Sequence, residues 1–155
     1  MKTAERNALD RLARTAARQR LDRRELERAI FDGRKAGLTQ RQISDKLGIH
    51  SQTTVQRILR RLDEDPSLLE KKPAEVIDRY AVGEISAESM MDQLLNWTYS
   101  FGSVARINGV ATDAYMSGDW DDIERAFYQG LLSDEQFARL AERQKELIGR
   151  SIRAK

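Results

Sequence analysis

The chain has 155 residues, enough for one domain of ordinary size or two small ones, and its 34% charged and 6% aromatic residues are typical of a helical protein with a charged surface. The chain has no cysteine and one histidine, which argues against disulfides and metal sites, and no apolar run approaches the ~20 residues of a membrane span. The charged start has no apolar stretch behind it that could be a signal peptide, which favours a cytoplasmic location. The net charge of +2 conceals an asymmetry: residues 1–62 hold 16 Lys and Arg against 7 Asp and Glu, and residues 63–155 hold 11 against 18, which indicates a basic module facing nucleic acid followed by a part with another role.

Two helices are predicted before residue 37. The first spans about residues 4–19 and carries an apolar face opposite a basic one. The apolar face consists of Leu9, Leu12, Ala13 and Ala16, and the basic face of Arg11, Arg14 and Arg18. These arginines either lie along DNA phosphates, adding salt-sensitive affinity, or form a solvated face. The second helix runs from about Asp22 to Ala36 before Gly37, with an apolar stripe of Leu26, Ala29, Ile30 and Gly33.

Two shorter helices follow. Thr39 and Gln42 have the spacing of a capping box that opens a helix ending at Gly48. Ser51 is placed to cap another helix that reaches about Leu62 or Asp63. The apolar positions expected to lock this pair together are Ile43, Leu47, Ile49, Val55, Ile58 and Leu62. The acidic, proline-containing stretch 63–66 then predicts a boundary, with domains at residues 1–65 and 66–155.

The pair of helices resembles the helix-turn-helix domains of bacterial and phage regulators over residues 26–62. From Ile43 to Val55 the core spacing is one residue longer than the commonest pattern, so an enlarged turn is expected. The resemblance implies that the second helix enters the major groove of double-stranded DNA. The side chains predicted to contact bases are Gln52, Thr53, Thr54, Gln56 and Arg57. Those predicted to contact phosphates are Gln40, Arg41, His50, Ser51, Arg60 and Arg61, with Arg11, Arg14 and Arg18 as further candidates.

Residues 66–155 are predicted to form a small helical domain, so that the whole chain is all-α. A helix is expected from Pro73 to about Val82. The segments 80–90 and 127–137 share one pattern, in which glycine stops a helix, an aliphatic residue docks and serine caps the next helix, so each predicts an αα-hairpin. Residues 97–118 are expected to be loop or short strand. There Arg106 and Asn108 are either a second DNA contact or an ordinary polar loop.

The acidic residues near position 120 are predicted to cap a helix rather than to bind a metal ion. Asp119, Asp121, Asp122 and Glu124 precede or open a predicted helix, where the macrodipole favours acids. Neither a nucleophile–base pair nor a phosphate-cradling loop is found in the sequence. We therefore expect no metal, no cofactor and no enzymatic activity.

A second resemblance covers most of the chain. A basic helix-turn-helix followed by a helical domain that contains the sequences of residues 75–80 (EVIDRY) and 94–99 (LLNWTY) is similar to the immunity repressors of temperate mycobacteriophages. The resemblance implies a lysogeny repressor in the cytoplasm of a bacterial host. It further implies monomeric binding to short asymmetric operators, with the C-terminal domain supplying a second DNA contact.

Two other functions stay open on the sequence. One is a dimeric regulator that senses a small ligand between the C-terminal helices, which would bind a palindromic site. The other is a protein-interaction adaptor, in which the acidic C-terminal domain binds a partner and the helix-turn-helix only tethers it to DNA.

Overall fold

The computed structural model describes residues 2–107, 110–116 and 118–153, with the backbone alone for the strand residues and Arg153. Its elements are α1 (Thr3–Lys35), α2 (Gln40–Leu47), α3 (Gln52–Glu64), a 3-10 turn (Pro66–Leu69), α4 (Pro73–Ala81), α5 (Ala87–Leu95), β1 (Ser103–Ile107), β2 (Val110–Met116), α6 (Trp120–Tyr128) and α7 (Asp134–Arg153). The predicted all-α class is confirmed, with a single short strand pair added to the helices. Within the described ranges, each helix is too short or too polar to cross a lipid bilayer.

The chain divides into two compact units, Met1–Lys71 and Lys72–Lys155. The break therefore comes after Lys71, not after Asp65 as predicted. The 3-10 turn accounts for the difference. The Asp65 carboxylate accepts a hydrogen bond from the Ser67 backbone N–H at 3.2 Å, which bends the chain back. The Arg28 side chain then donates to the Leu69 carbonyl at 3.2 Å, so this segment is held against α1.

The prediction of two helices before residue 37 is wrong, because α1 is one continuous helix of 33 residues. No glycine or proline occurs between residues 3 and 32, so nothing in this stretch stops a helix. Leu21 lies near the expected break between the two predicted helices, but it belongs to α1 and its side chain is buried. On the apolar face predicted for the first helix, Leu9 is 52% exposed and Leu12 is 67% exposed.

The core of the first unit forms where the second half of α1 meets α2 and α3. Its buried members are Ile30, Ile43, Val55 and Leu59. On α3 the buried residues Val55, Leu59 and Leu62 follow one another at intervals of four and three, which places them on one face of the helix. Two predicted core positions are wrong: Ile49 is 72% exposed, and Ala29 faces solvent. Ile49 follows Gly48, whose left-handed backbone (φ 70°) turns the chain away from the core.

The second unit is built from the two αα-hairpins that the repeated sequence pattern predicted. Gly83 and Gly130 both have positive φ, 84° and 77°, so each ends a helix in the conformation that glycine adopts without strain. The Ser86 hydroxyl accepts from the Ser89 N–H at 3.0 Å, and the Ser133 hydroxyl from the Gln136 N–H at 3.1 Å. The predicted caps are confirmed. The core of this unit gathers the buried side chains Val76, Ile77, Met90, Met91, Leu94, Tyr99, Ile123, Ala126, Leu132 and Leu140.

Between the hairpins, β1 pairs with β2 in antiparallel register, from Ser103 opposite Met116 to Ile107 opposite Val110. The strand pair follows a tyrosine that is anchored in the core. The Tyr99 hydroxyl donates to the Leu94 carbonyl at 2.7 Å, and its ring meets Trp120 edge-on at 5.1 Å. Burial raises the pKa of Tyr99, and the nearby carboxylates of Asp119, which precedes α6, and Asp122, in its first turn, add to the shift.

The acidic residues near position 120 open α6, as predicted. Two of their carboxylates accept hydrogen bonds from particular backbone N–H groups, in addition to any interaction with the helix dipole. The Asp121 carboxylate accepts from the Gly118 N–H at 3.1 Å. The Asp122 carboxylate accepts from the Ala74 N–H at 3.3 Å, so it caps the first turn of α4 across the unit. The described residues include no cluster of three or more side chains arranged to hold a metal ion.

Candidate nucleic-acid interface

The first turn of α2 is fixed by the predicted capping box. The Thr39 hydroxyl accepts from the Gln42 N–H at 3.1 Å, and the Gln42 side chain accepts from the Thr39 N–H at 2.8 Å. Two donors that a helix start leaves unsatisfied are thereby paired. Since Ile43 of the same helix is buried in the core, α2 is held both at its start and along its packed face.

The turn from α2 to α3 comprises residues 48–51 and is held by side chains on both sides. Gly48 has φ 70° and its N–H donates to the Ser44 carbonyl at 3.0 Å. The Ser44 hydroxyl in turn donates to the His50 carbonyl at 2.7 Å. Ser51 then caps α3 by accepting from the Thr54 N–H at 3.2 Å. The direction in which α3 leaves the turn is therefore set by hydrogen bonds as well as by core packing.

Helix α3 has two opposite faces. One is the buried stripe described above. Because successive residues advance by 100° around a helix, a set of exposed polar and basic side chains lies together on the other side, and we call this set the reading face. The reading face consists of Gln52, Thr53, Gln56, Arg57 and Arg60. Four of the five side chains predicted to contact bases lie on it.

Thr54, the fifth predicted base contact, does not lie on the reading face. It is half-buried at the edge of α3, and its hydroxyl is 3.1 Å from the Ser51 hydroxyl. Because its backbone N–H also bonds Ser51, this residue belongs to the helix cap. Its contacts fix the first turn of α3.

The arginines of α3 differ in their partners. Within the described part of the chain, neither Arg57 nor Arg60 has an ion pair or a side-chain hydrogen bond, and both are exposed. Arg61, the next residue, forms an ion pair with Glu27 of α1. The reading face thus presents two uncommitted guanidinium groups, whereas the third arginine of the helix is engaged inside the unit.

The other predicted phosphate contacts are distributed over the unit. Gln40 and Arg41 are exposed in the first turn of α2, and the Arg41 guanidinium lies 3.9 Å from the Asp45 carboxylate. Both members of that pair are well exposed, so it holds Arg41 only weakly. His50 is half-buried in the turn, and the Ser51 hydroxyl is committed to the cap of α3.

Three further candidates lie on the first half of α1. Arg11, Arg14 and Arg18 are exposed and share one face, as their spacing of three and four predicts. The contacts of α1 with α2 involve its second half, where Gly33 is close to Ile43. These arginines therefore do not belong to the reading face, and they form a separate basic stripe on the same unit.

The predicted second DNA contact falls on the strand pair of the second unit. Arg106 is in β1, where its backbone is in register with Ala111 of β2. Asn108 lies outside the described residues.

Sequence reasoning missed the ion pairs that join α3 to α1. Besides Glu27 and Arg61, Arg34 forms a two-pronged pair with Asp63, at 2.7 Å from Nη1 to Oδ2 and 2.5 Å from Nη2 to Oδ1. The Arg34 guanidinium holds the pKa of Asp63 below its usual value. Partners 29 and 34 residues apart leave no local signal, so only the fold identifies them.

Comparisons of the chain with family models, with curated proteins and with solved structures gave no match.

Proposed function

We propose that the first unit is a helix-turn-helix module that binds double-stranded DNA in a sequence-specific manner, and that the protein is a transcriptional repressor. The observation that carries this proposal is the reading face of α3. It is a continuous set of polar side chains and uncommitted arginines, opposite a buried stripe, on a helix that follows a capped and hydrogen-bonded turn. A helix face that only contacts solvent does not need its helix to be oriented by such a turn and cap.

The residue types of the reading face are those that recognise base edges. The major groove is about 12 Å wide and admits one α-helix of about 10–12 Å diameter. Gln52 and Gln56 would pair with adenine, Arg57 with guanine, and Thr53 would hydrogen-bond a base or contact a thymine methyl group. These side chains come from the first turns of α3, the part of a recognition helix that lies nearest the bases.

Phosphate contacts would come from around this face. Arg60 and the exposed start of α2, with Gln40 and Arg41, are suited to gripping the DNA backbone, which sets the register of the helix without reading sequence. The stripe of Arg11, Arg14 and Arg18 would add sequence-independent affinity through counterion release. The excess of basic residues in residues 1–62 supports this assignment.

Repression would be steric, because a protein seated on a promoter or downstream of it obstructs polymerase. The resemblance to mycobacteriophage immunity repressors supports a more detailed form of the proposal. In that form the protein is a lysogeny repressor that binds short asymmetric operators as a monomer, and its second unit makes another DNA contact through the strand pair that carries Arg106.

The test is to select bound sequences from a random duplex library with the full chain, and then to measure affinity for the selected site. Arg57→Ala is expected to weaken specific binding by ~1–3 kcal/mol and to relax specificity at one position. Lys35→Ala is the matched control, since Lys35 is an exposed cation of the same unit that stacks on Phe31 at the end of α1.

The selected sequence separates the alternatives. An asymmetric site supports the monomeric form of the proposal, and a palindrome would replace it with the dimeric regulator. If the library shows no enrichment, the DNA-binding proposal is wrong. If Arg57→Ala and Lys35→Ala have equal, small effects, the reading face does not read bases.

A further inference from the structure

The ion pair between Arg61 and Glu27 joins two residues of very different exposure. The Arg61 side chain is 44% exposed, whereas that of Glu27 is only 13% exposed. The same Glu27 oxygen also lies 3.4 Å from Nε of Arg23, one turn earlier on α1. The carboxylate is therefore a fixed, largely buried anion, and the arginine at the helix surface is the partner with room to move.

Arg61 lies on the flank of α3. It follows Arg60 by 100°, so it projects to the side of the reading face and toward α1. When a helix lies in the major groove, side chains at its flanks point to the walls of the groove, where the phosphates are. A guanidinium at this position would meet a phosphate if no group in the protein held it.

We propose that Glu27 withholds Arg61 from DNA phosphates and thereby limits sequence-independent affinity. This inference rests on the proposed function. Non-specific binding comes almost entirely from phosphate contacts, so an arginine that is neutralised inside the protein weakens binding to every unrelated duplex. Base contacts from the reading face are left unchanged. Glu27 is in this sense a positioning residue that lowers the sequence-independent part of the affinity and leaves the part contributed by base contacts unchanged.

The position of α3 does not depend on Glu27 alone. Arg34 and Asp63 form a second ion pair between the same two helices, and the core of Ile30, Val55 and Leu59 packs between them. Glu27→Gln keeps the shape of the side chain and removes its charge, so we expect the variant to fold. Its effect on DNA binding then reports the release of Arg61.

The experiment measures the affinity of the full chain for an unrelated duplex between 50 and 200 mM salt, and takes the slope of log K against log salt concentration. One added phosphate contact steepens this slope by about 0.9, so the affinity of Glu27→Gln should fall about 3.5-fold more than that of the wild type over this range. Asp32→Asn is the control, because it removes the same charge from an exposed position on α1.

Two further variants identify the cation. Arg61→Gln in the wild-type background should leave the slope unchanged, because Arg61 is already withheld. Arg61→Gln combined with Glu27→Gln should restore the wild-type slope, which excludes Arg23 as the released group. The first of these variants tests the inference even if Glu27→Gln were to unfold.

The inference is overturned if Arg61→Gln alone lowers the slope by about 0.9, since Arg61 would then contact phosphate in the wild type. It is also overturned if Glu27→Gln and Asp32→Asn give the same slope. Either result leaves the proposed function standing, provided that the wild type binds its selected site. If the wild type binds no duplex at any salt concentration, the proposed function and this inference are both wrong.

Discussion

The same substitution, glycine to alanine, should have opposite effects at two positions of the first unit. Gly48 is in the turn before α3 and has φ 70°, and among the described residues no atom beyond its chain neighbours lies within 4 Å of where a Cβ would be. Gly33 is inside α1, where a Cβ would lie 3.4 Å from Leu38 Cδ1 and 3.7 Å from Ile43 Cδ1. The first position tests backbone strain alone, and the second tests helix propensity with ordinary packing.

At Gly48 an alanine must adopt the left-handed conformation, which disfavours it by roughly 1–2 kcal/mol. No steric clash adds to this value, and asparagine, which tolerates that conformation better, should be less destabilising than alanine. At Gly33 alanine gains about 0.8–1.0 kcal/mol of helix propensity, and the new methyl group makes normal van der Waals contacts. For a unit of this size, 1 kcal/mol corresponds to a shift in Tm of about 4–8 °C.

Thermal unfolding of the full chain, followed by circular dichroism at 222 nm, measures both variants. Both tryptophans, Trp97 and Trp120, are in the second unit, so their fluorescence follows that unit and distinguishes it from the first. We expect Gly48→Ala to lower the helical transition of the first unit and Gly33→Ala to raise it. A stabilising Gly48→Ala would refute the strained turn, and a clearly destabilising Gly33→Ala would mean that Leu38 cannot adjust.

Three further changes test the capping, ion pairing and close packing of the two units. Thr39→Ala removes the capping box of α2 and should destabilise the first unit by about 0.5–2 kcal/mol in urea unfolding, whereas Thr39→Ser should retain the cap. Because Arg34 lowers the folded-state pKa of Asp63 below its ordinary value, the ion pair stabilises the fold fully above that ordinary value. This stabilisation is lost as the pH falls from there through the lower folded-state pKa. The difference in Tm between wild type and Asp63→Asn should therefore shrink in acid, and a constant difference would contradict the ion pair. Gly118→Ala would bring a Cβ within 2.6 Å of the Ser100 carbonyl oxygen, so tryptophan fluorescence should report a far larger loss of stability than for Gly83→Ala, whose Cβ has no atom within 4 Å in the described part of the chain apart from its chain neighbours.

The elements that were predicted correctly are those whose signal is local. The caps at Thr39, Ser86 and Ser133 each join residues three apart in the sequence. A glycine after a helix is likewise a local signal, because glycine adopts the left-handed conformation that ends a helix without strain. The same reasoning failed over the first 35 residues. There the apolar periodicity at Leu9 and Leu12 shows only which residues share a face and not whether another element covers it, and both side chains are exposed.

The candidate site divides in the same way. Helical geometry alone assigns Gln52, Gln56 and Arg57 to one exposed face, because the opposite face is set by the apolar residues of α3. Whether an arginine on that helix is available to DNA is a tertiary property. Arg60 and Arg61 are neighbours of the same type, yet only Arg61 is within reach of Glu27, which precedes it by 34 residues. The charge excess of the N-terminal residues therefore overstates the charge that the unit would offer to phosphates, and Arg61 should not contribute to the salt dependence of binding.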